Sequence, residues 1–275
     1  MRTRKTLVLI ALLGLSLSLG AEDWPTYRHD VRRSGVSGEK LDAPRLGIAW
    51  TFRSAHPPVQ AWAGPAKWDA YARIRGLRAM RNYDPVFHTI VQGDGVYFGS
   101  SADDTLRRLD ARSGEERWSF TTDGPIRIAP TYSDGKVYFG SDDGFVYGIA
   151  SEDGTEQWRF RTGGGVFSSP AVTDNKVLVG SNDGFIYALD PSTGVLVWRT
   201  FLMGPVLSSP AVAGGLVYVG SSDGRIYALS LSTGEIAWSF RVGDRVWTSP
   251  AIIDGVMFFG SHDGYIYAIE PASQE

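Results

Sequence analysis

Three residues interrupt an otherwise uniform pattern, and each is of a type that binds ligands. His88 occupies a position that holds Ala129, Ser169, Ser209 and Ser249 in successive copies of that pattern. Arg127 and Trp247 share a second row, whose other members are Val86, Phe167 and Leu207. An imidazole titrates near neutrality, a guanidinium holds anionic oxygens through paired donors, and an indole can anchor a partner. No carboxylate or metal-ligating residue lies beside His88 in sequence. The three therefore read as a candidate ligand site without a catalytic or metal assignment, and the plain alternative for His88 is a structural role.

A second group falls in residues 54–84, which match no copy of the pattern. Trp62, Trp68 and Tyr71 precede a basic set, Arg73, Arg75, Arg78 and Arg81. Arginines beside aromatics suit an anionic ligand or a protein partner. The alternative is a cover over one face of the domain, its arginines paired with the acidic body. Trp68–Asn82 could form a short helix, which Gly76 weakens. Asp142-Asp143-Gly144, Asn182-Asp183-Gly184, Ser222-Asp223-Gly224 and His262-Asp263-Gly264 bring calcium to mind. One or two aspartates per turn do not supply the six or more oxygens calcium takes, and hairpin chemistry accounts for the turns.

The elements that must position these residues recur every forty residues. Val96–Ser100, Val137–Ser141, Val177–Ser181, Val217–Ser221 and Met257–Ser261 each end in Gly-Ser, with the glycines spaced 41, 40, 40 and 40. Trp118, Trp158, Trp198 and Trp238 keep a spacing of 40. In the unit around Val217, strands are expected at Val217–Gly220, Arg225–Leu229 and Glu235–Phe240, and Val246–Ile252 opens the next unit. Four antiparallel strands per repeat describe a β-propeller blade. The expected fold is all-β: a propeller of four-stranded blades in five repeats. The tryptophans are expected to dock one blade on its neighbour.

The chain has 275 residues, 33 glycines and no cysteine, which excludes disulfides, thiolate metal sites and a cysteine nucleophile. Arg2, Arg4 and Lys5 followed by the apolar run Leu7–Leu19 read as a signal peptide over residues 1–21, with an uncleaved anchor as the alternative. Its removal takes the net charge from −3 to −6, and an acidic body argues against a nucleic-acid partner. The mature chain is expected to be exported, periplasmic or secreted, without a stable membrane anchor. Residues 22–44 form an N-terminal segment and residues 45–275 the propeller.

Ala188-Leu189-Asp190-Pro191-Ser192-Thr193-Gly194 with Trp198 resembles the tryptophan-docking motif of PQQ-like propellers, and Ala228–Trp238 follows it except at Ser230. Leu109–Trp118 and Gly148–Trp158 are looser copies. Asp23–Arg28 and Arg33-Ser34-Gly35-Val36-Ser37 are similar to the usual opening of such proteins. The resemblance implies the fold, and it embraces two kinds of protein. Quinoprotein dehydrogenases bind PQQ with calcium and commonly carry a vicinal disulfide; their calcium ligands and catalytic aspartate map to no position here. Non-enzymatic propellers such as the outer-membrane assembly lipoprotein are the nearer branch, although no lipidation cysteine is present. Known dehydrogenase propellers usually have eight blades, against five repeats here.

The last copy ends without its tryptophan strand, whereas Gly47-Ile48-Ala49-Trp50-Thr51-Phe52 is a surplus one resembling Ile236–Phe240. Trp50 is expected to complete the last blade and close the ring, with an open arc of a longer propeller as the alternative. The expected function is a non-catalytic binding or assembly scaffold without a cofactor, its partner an envelope or extracellular protein, peptide or polysaccharide. The alternatives are a PQQ-dependent oxidoreductase and a carbohydrate-binding propeller, the latter suggested by Trp62, Trp68 and Trp247.

Overall fold

The computed structural model describes residues 22–38, 47–56, 87–173 and 175–270. Within them every regular element is a strand, and no helix is long and apolar enough to cross a membrane. Residues 1–21 and the insertion with Trp62, Trp68, Arg73, Arg75, Arg78 and Arg81, including the short helix expected there, lie outside the described residues.

The five copies form five antiparallel sheets. Blade 1 holds β1 (Ile90–Gln92), β2 (Gly95–Ser100), β3 (Thr105–Asp110) and β4 (Glu116–Thr121). Blade 2 holds β5 (Thr131–Ser133), β6 (Lys136–Gly140), β7 (Phe145–Ala150) and β8 (Glu156–Arg161). Blade 3 holds β9 (Ala171–Thr173), β10 (Lys176–Gly180), β11 (Phe185–Leu189) and β12 (Leu196–Phe201). Blade 4 holds β13 (Ala211–Ala213), β14 (Leu216–Ser221), β15 (Arg225–Ser230) and β16 (Ile236–Arg241). Blade 5 has β17 (Ala251–Ile253), β18 (Val256–Gly260) and β19 (Ile266–Ile269). The first strand of each later blade is shorter than Val246–Ile252 suggests. Pro130, Pro170, Pro210 and Pro250 stand immediately before β5, β9, β13 and β17, and a proline has no N–H to extend the ladder.

The repeated residues do what their regularity implies. Trp118, Trp158 and Trp198 each dock on the following blade. The indoles of Trp118, Trp158 and Trp198 donate to the carbonyls of Ser151, Pro191 and Leu231 at 3.0, 3.0 and 3.1 Å. Beneath them Gly154, Gly194 and Gly234 adopt φ of 71–77°, and a Cβ there would stand 2.5–2.8 Å from the ring. Only glycine satisfies both the backbone and the close approach. The glycines of the Gly-Ser steps serve a different contact: a Cβ on Gly180 would lie 2.4 Å from Val206 of the next blade. The Asp-Gly turns are structural. Asp183 accepts from the amide of Phe185 at 2.9 Å and from the Tyr187 hydroxyl at 2.6 Å, and the same pair of bonds recurs at Asp143, Asp223 and Asp263.

Trp50 makes the same docking contact, donating to Ala111 O at 3.0 Å above Gly114. The expected clasp is nevertheless not formed. Among the described residues Gly47–Phe52 pairs with no strand, and blade 5 remains three-stranded with β19 at its edge. Ile266 on β19 is 84% exposed, whereas Leu106, Val146, Ile186 and Ile226 at the matching positions of blades 1–4 are at 0%. Docking on blade 1 fixes Trp50 at the near end of the arc, and that contact needs no bond to β19.

Candidate functional site

The serines at the His88 position and at the position before it serve the framework, except that the buried Ser169 Oγ has no partner among the described residues. Ser168 Oγ and Ser208 Oγ accept from the amides of Gly180 and Gly220, at 2.8 and 3.1 Å. Ser209 Oγ and Ser249 Oγ accept from the amides of Ser169 and Ser209, both at 2.9 Å, tying blade to blade. Ser168, Ser169, Ser208 and Ser209 are buried, so no hydroxyl-rich channel opens there. The sequence placed these residues on the inner strands but carried no sign that their hydroxyls serve neighbouring amides.

His88, Arg127 and Trp247 each have a different setting. His88 is exposed, with its ring edge-on to Tyr27 at 6.3 Å. Arg127 Nε is bound to Asp142 Oδ2 at 2.7 Å, and its guanidinium lies 6.0 Å from the Phe167 ring centre. Burial raises the Asp142 pKa above the usual carboxylate range, and Arg127 opposes that shift. Trp247 is 38% exposed and donates to Ser222 Oγ at 2.8 Å. His262 stands edge-on to it at 4.4 Å, and the Arg245 guanidinium lies 5.4 Å over the ring.

One geometric rule links the last two. Within a blade, the residue of the row packs on the one fifteen positions later: Arg127 on Asp142, and Trp247 on His262. The pairing passes from a salt bridge in blade 2 to an aromatic and basic cluster in blade 5. Sequence reasoning found Trp247 as a departure from the repeat but missed Arg245, its neighbour in the same loop, and His262, which the fold of the blade brings to it. The cluster offers an exposed indole beside a cation and an imidazole. One face of the indole is already beside a guanidinium, which disfavours sugar stacking and suits a peptide carrying aromatic or acidic side chains.

The N-terminal segment holds the most buried charge. Arg33 is fully buried without a carboxylate bonded to it. Its guanidinium donates to Pro210 O at 3.0 Å, Thr26 Oγ1 at 2.9 Å, Tyr27 O at 2.7 Å, Ser169 O at 3.1 Å and Pro170 O at 3.0 Å. Burial pulls its pKa down to about 10, so it stays charged at neutral pH. Beside it, a cleft of about 340 Å³ is lined by residues including His29, Asp30, Arg32, Ile252 and Asp254. His29 bonds Glu22 at 3.1 Å and packs against Trp24.

A quinone with calcium would need converging oxygens for the ion and free cations for its anionic groups. Among the described residues no three His, Cys, Asp or Glu side chains converge. Arg127 holds Asp142, and Arg33 is surrounded by protein oxygens. These residues do not fit the group, and no step is derived through it.

A family model described as outer membrane protein assembly factor BamB matches residues 50–171 and 146–274. BamB from Moraxella catarrhalis is 26% identical, with a TM-score of 0.59 over 65% of this chain and 55% of that one. The quinohemoprotein alcohol dehydrogenase of Comamonas testosteroni is 18% identical, with a TM-score of 0.67 over 90% of this chain and 47% of that one. That of Pseudomonas putida HK5 is 17% identical, at 0.66 over 90% and 46%. The chain thus spans about half the length of these structures, and the two dehydrogenases show the fold alone. No curated protein matches the sequence.

Proposed function

This chain belongs to the family of outer membrane protein assembly factor BamB, and from that premise we propose that it is a non-catalytic scaffold of the cell envelope, holding a protein or peptide partner without a cofactor. The observation that carries the reading is the cluster of Trp247, Arg245 and His262, an exposed aromatic anchor on a rigid blade. An indole fixed by Ser222 loses little rotamer freedom on binding, which is what an interface anchor requires. A partner with aromatic and acidic side chains complements the cation and the imidazole. The arginines of residues 54–84 belong to the same proposal as a second contact surface.

Site-specific photo-crosslinking in envelope preparations tests it. A photoreactive residue at position 247 is expected to trap a discrete protein partner, and one at Val195, an exposed site on another blade, is not. Arg245→Ala should lower the yield at position 247 by on the order of tenfold. Equal labelling at both positions, or cytoplasmic retention of the protein, would sink the reading.

A further inference from the structure

Residues 22–38 form no strand, yet they bond to the innermost strand of nearly every blade. Trp24 exchanges both main-chain bonds with Val91 on β1, at 2.7 and 2.8 Å. The amides of Tyr132 on β5, Val212 on β13 and Ile252 on β17 donate to the carbonyls of Pro25, Val31 and Arg32, at 2.7, 2.9 and 3.1 Å. Val91, Tyr132, Val212 and Ile252 are the second residues of their strands, so the arc presents one repeated donor along its inner rim. Blades 3 and 4 add a seat for a side chain. The carbonyls of Ser169, Pro170 and Pro210 converge on the Arg33 guanidinium.

A closed circuit locks that seat. Arg33 donates to Thr26 Oγ1, Thr26 lies 2.8 Å from Thr131 Oγ1, Thr131 donates to Pro170 O at 2.7 Å, and Pro170 O also accepts from Arg33. Since the single Thr131 hydroxyl proton goes to Pro170, Thr26 is the donor to Thr131. Arg28, His29 and Arg33 take φ of 56°, 74° and 61°, a conformation that ordinary residues adopt under external constraint. The segment thus combines turns of its own, closed by the amides of His29, Asp30, Arg33 and Gly35, with the contacts that the rim supplies. Blades 1–4 are meanwhile complete four-stranded sheets; every buried member of their clusters comes from the blades, with Tyr27 and Val31 of the segment packed against two of them.

We propose that the inner rim of the arc is a binding groove for a turn-containing, arginine-bearing peptide, filled in this chain by its own residues Trp24–Arg33. Main-chain bonds supply affinity along the rim, strand-like only at Trp24. The carbonyl seat selects the guanidinium, whose planar array of donors an ammonium lacks. This inference does not depend on the role of Trp247.

The test uses the full chain with a protease site placed within residues 39–46. After cleavage, a labelled synthetic peptide of residues 22–38 is added in excess, alongside the same peptide carrying Arg33→Lys. The resident segment is expected to exchange for the unmodified peptide while circular dichroism and the thermal transition of the propeller persist. The Arg33→Lys peptide should bind on the order of 100-fold more weakly. Equal binding of the two peptides would overturn the guanidinium seat. Unfolding of the propeller as the segment leaves, or failure of the resident segment to exchange, would show that the segment is core rather than ligand and overturn the groove.

Discussion

Arg33 and the repeated tyrosines show how single side chains carry charge and polarity into this fold. A buried guanidinium is costly unless its donors are satisfied, and five oxygens meet it here. Arg33→Met in the intact chain is expected to leave the carbonyls of Ser169 and Pro210 without this donor, and Pro170 with Thr131 alone, lowering stability by about 3 kcal/mol in chemical denaturation. The tyrosines give a pH signature. Burial, then the hydrogen bond to Asp183 and its charge, push the Tyr187 pKa up to about 12, and Tyr147 and Tyr227 shift upward for the same reasons. An unfolded tyrosine titrates near 10. A folded pKa above the unfolded one means stability is fully present below about pH 10 and is lost as pH rises toward about 12. Melting temperatures measured from pH 7 to 11.5 should stay level to about pH 10 and then fall, less steeply in Tyr187→Phe. A profile that is level throughout would contradict the assignment.

At the scale of elements, the unit of stability is one blade seated on the next. Trp158 over Gly194 stands for four such contacts, each with one indole bond and one glycine at positive φ. Trp158→Ala should cost about 4 kcal/mol through the cavity and lost burial. Gly194→Ala should cost at least about 1 kcal/mol from the backbone alone, and more because its Cβ meets the ring 2.6 Å away. These positions were legible in the sequence because function at the blade interface demands the same residue at the same phase each time. The hydroxyls of Ser168, Ser208, Ser209 and Ser249 were equally regular, yet their partners lie in other strands and blades, which periodicity does not reveal.

For the whole molecule, the decisive feature is the difference between the blades and the end of the arc. Gly180 and Gly260 are equivalent in sequence, but a Cβ on Gly180 would stand 2.4 Å from Val206. On Gly260 it would meet nothing nearer than Thr248 at 3.4 Å. Gly180→Ala should therefore lower stability by about 2 kcal/mol or more, whereas Gly260→Ala should be close to neutral. Ile266→Lys distinguishes the same arrangements: it is neutral on an open edge and strongly destabilising beneath a further strand. Equal losses at Gly180 and Gly260 would mean that blade 5 is covered in solution.

The sequence by itself determined the all-β architecture, the strand order within each blade, the structural use of the Asp-Gly turns and the docking role of the tryptophans. All of these rest on local chemistry repeated at a fixed period, and repetition makes local chemistry readable. Tertiary structure decided what depends on distance between remote residues. It placed Trp50 on blade 1 without a bond to β19, gave Trp247 its neighbour His262, and brought Arg33 to carbonyls 136, 137 and 177 residues away. Arg33 occurs once, in a segment outside the repeat. No periodicity marks it, and its meaning lies in the carbonyls that blades 3 and 4 bring together around it.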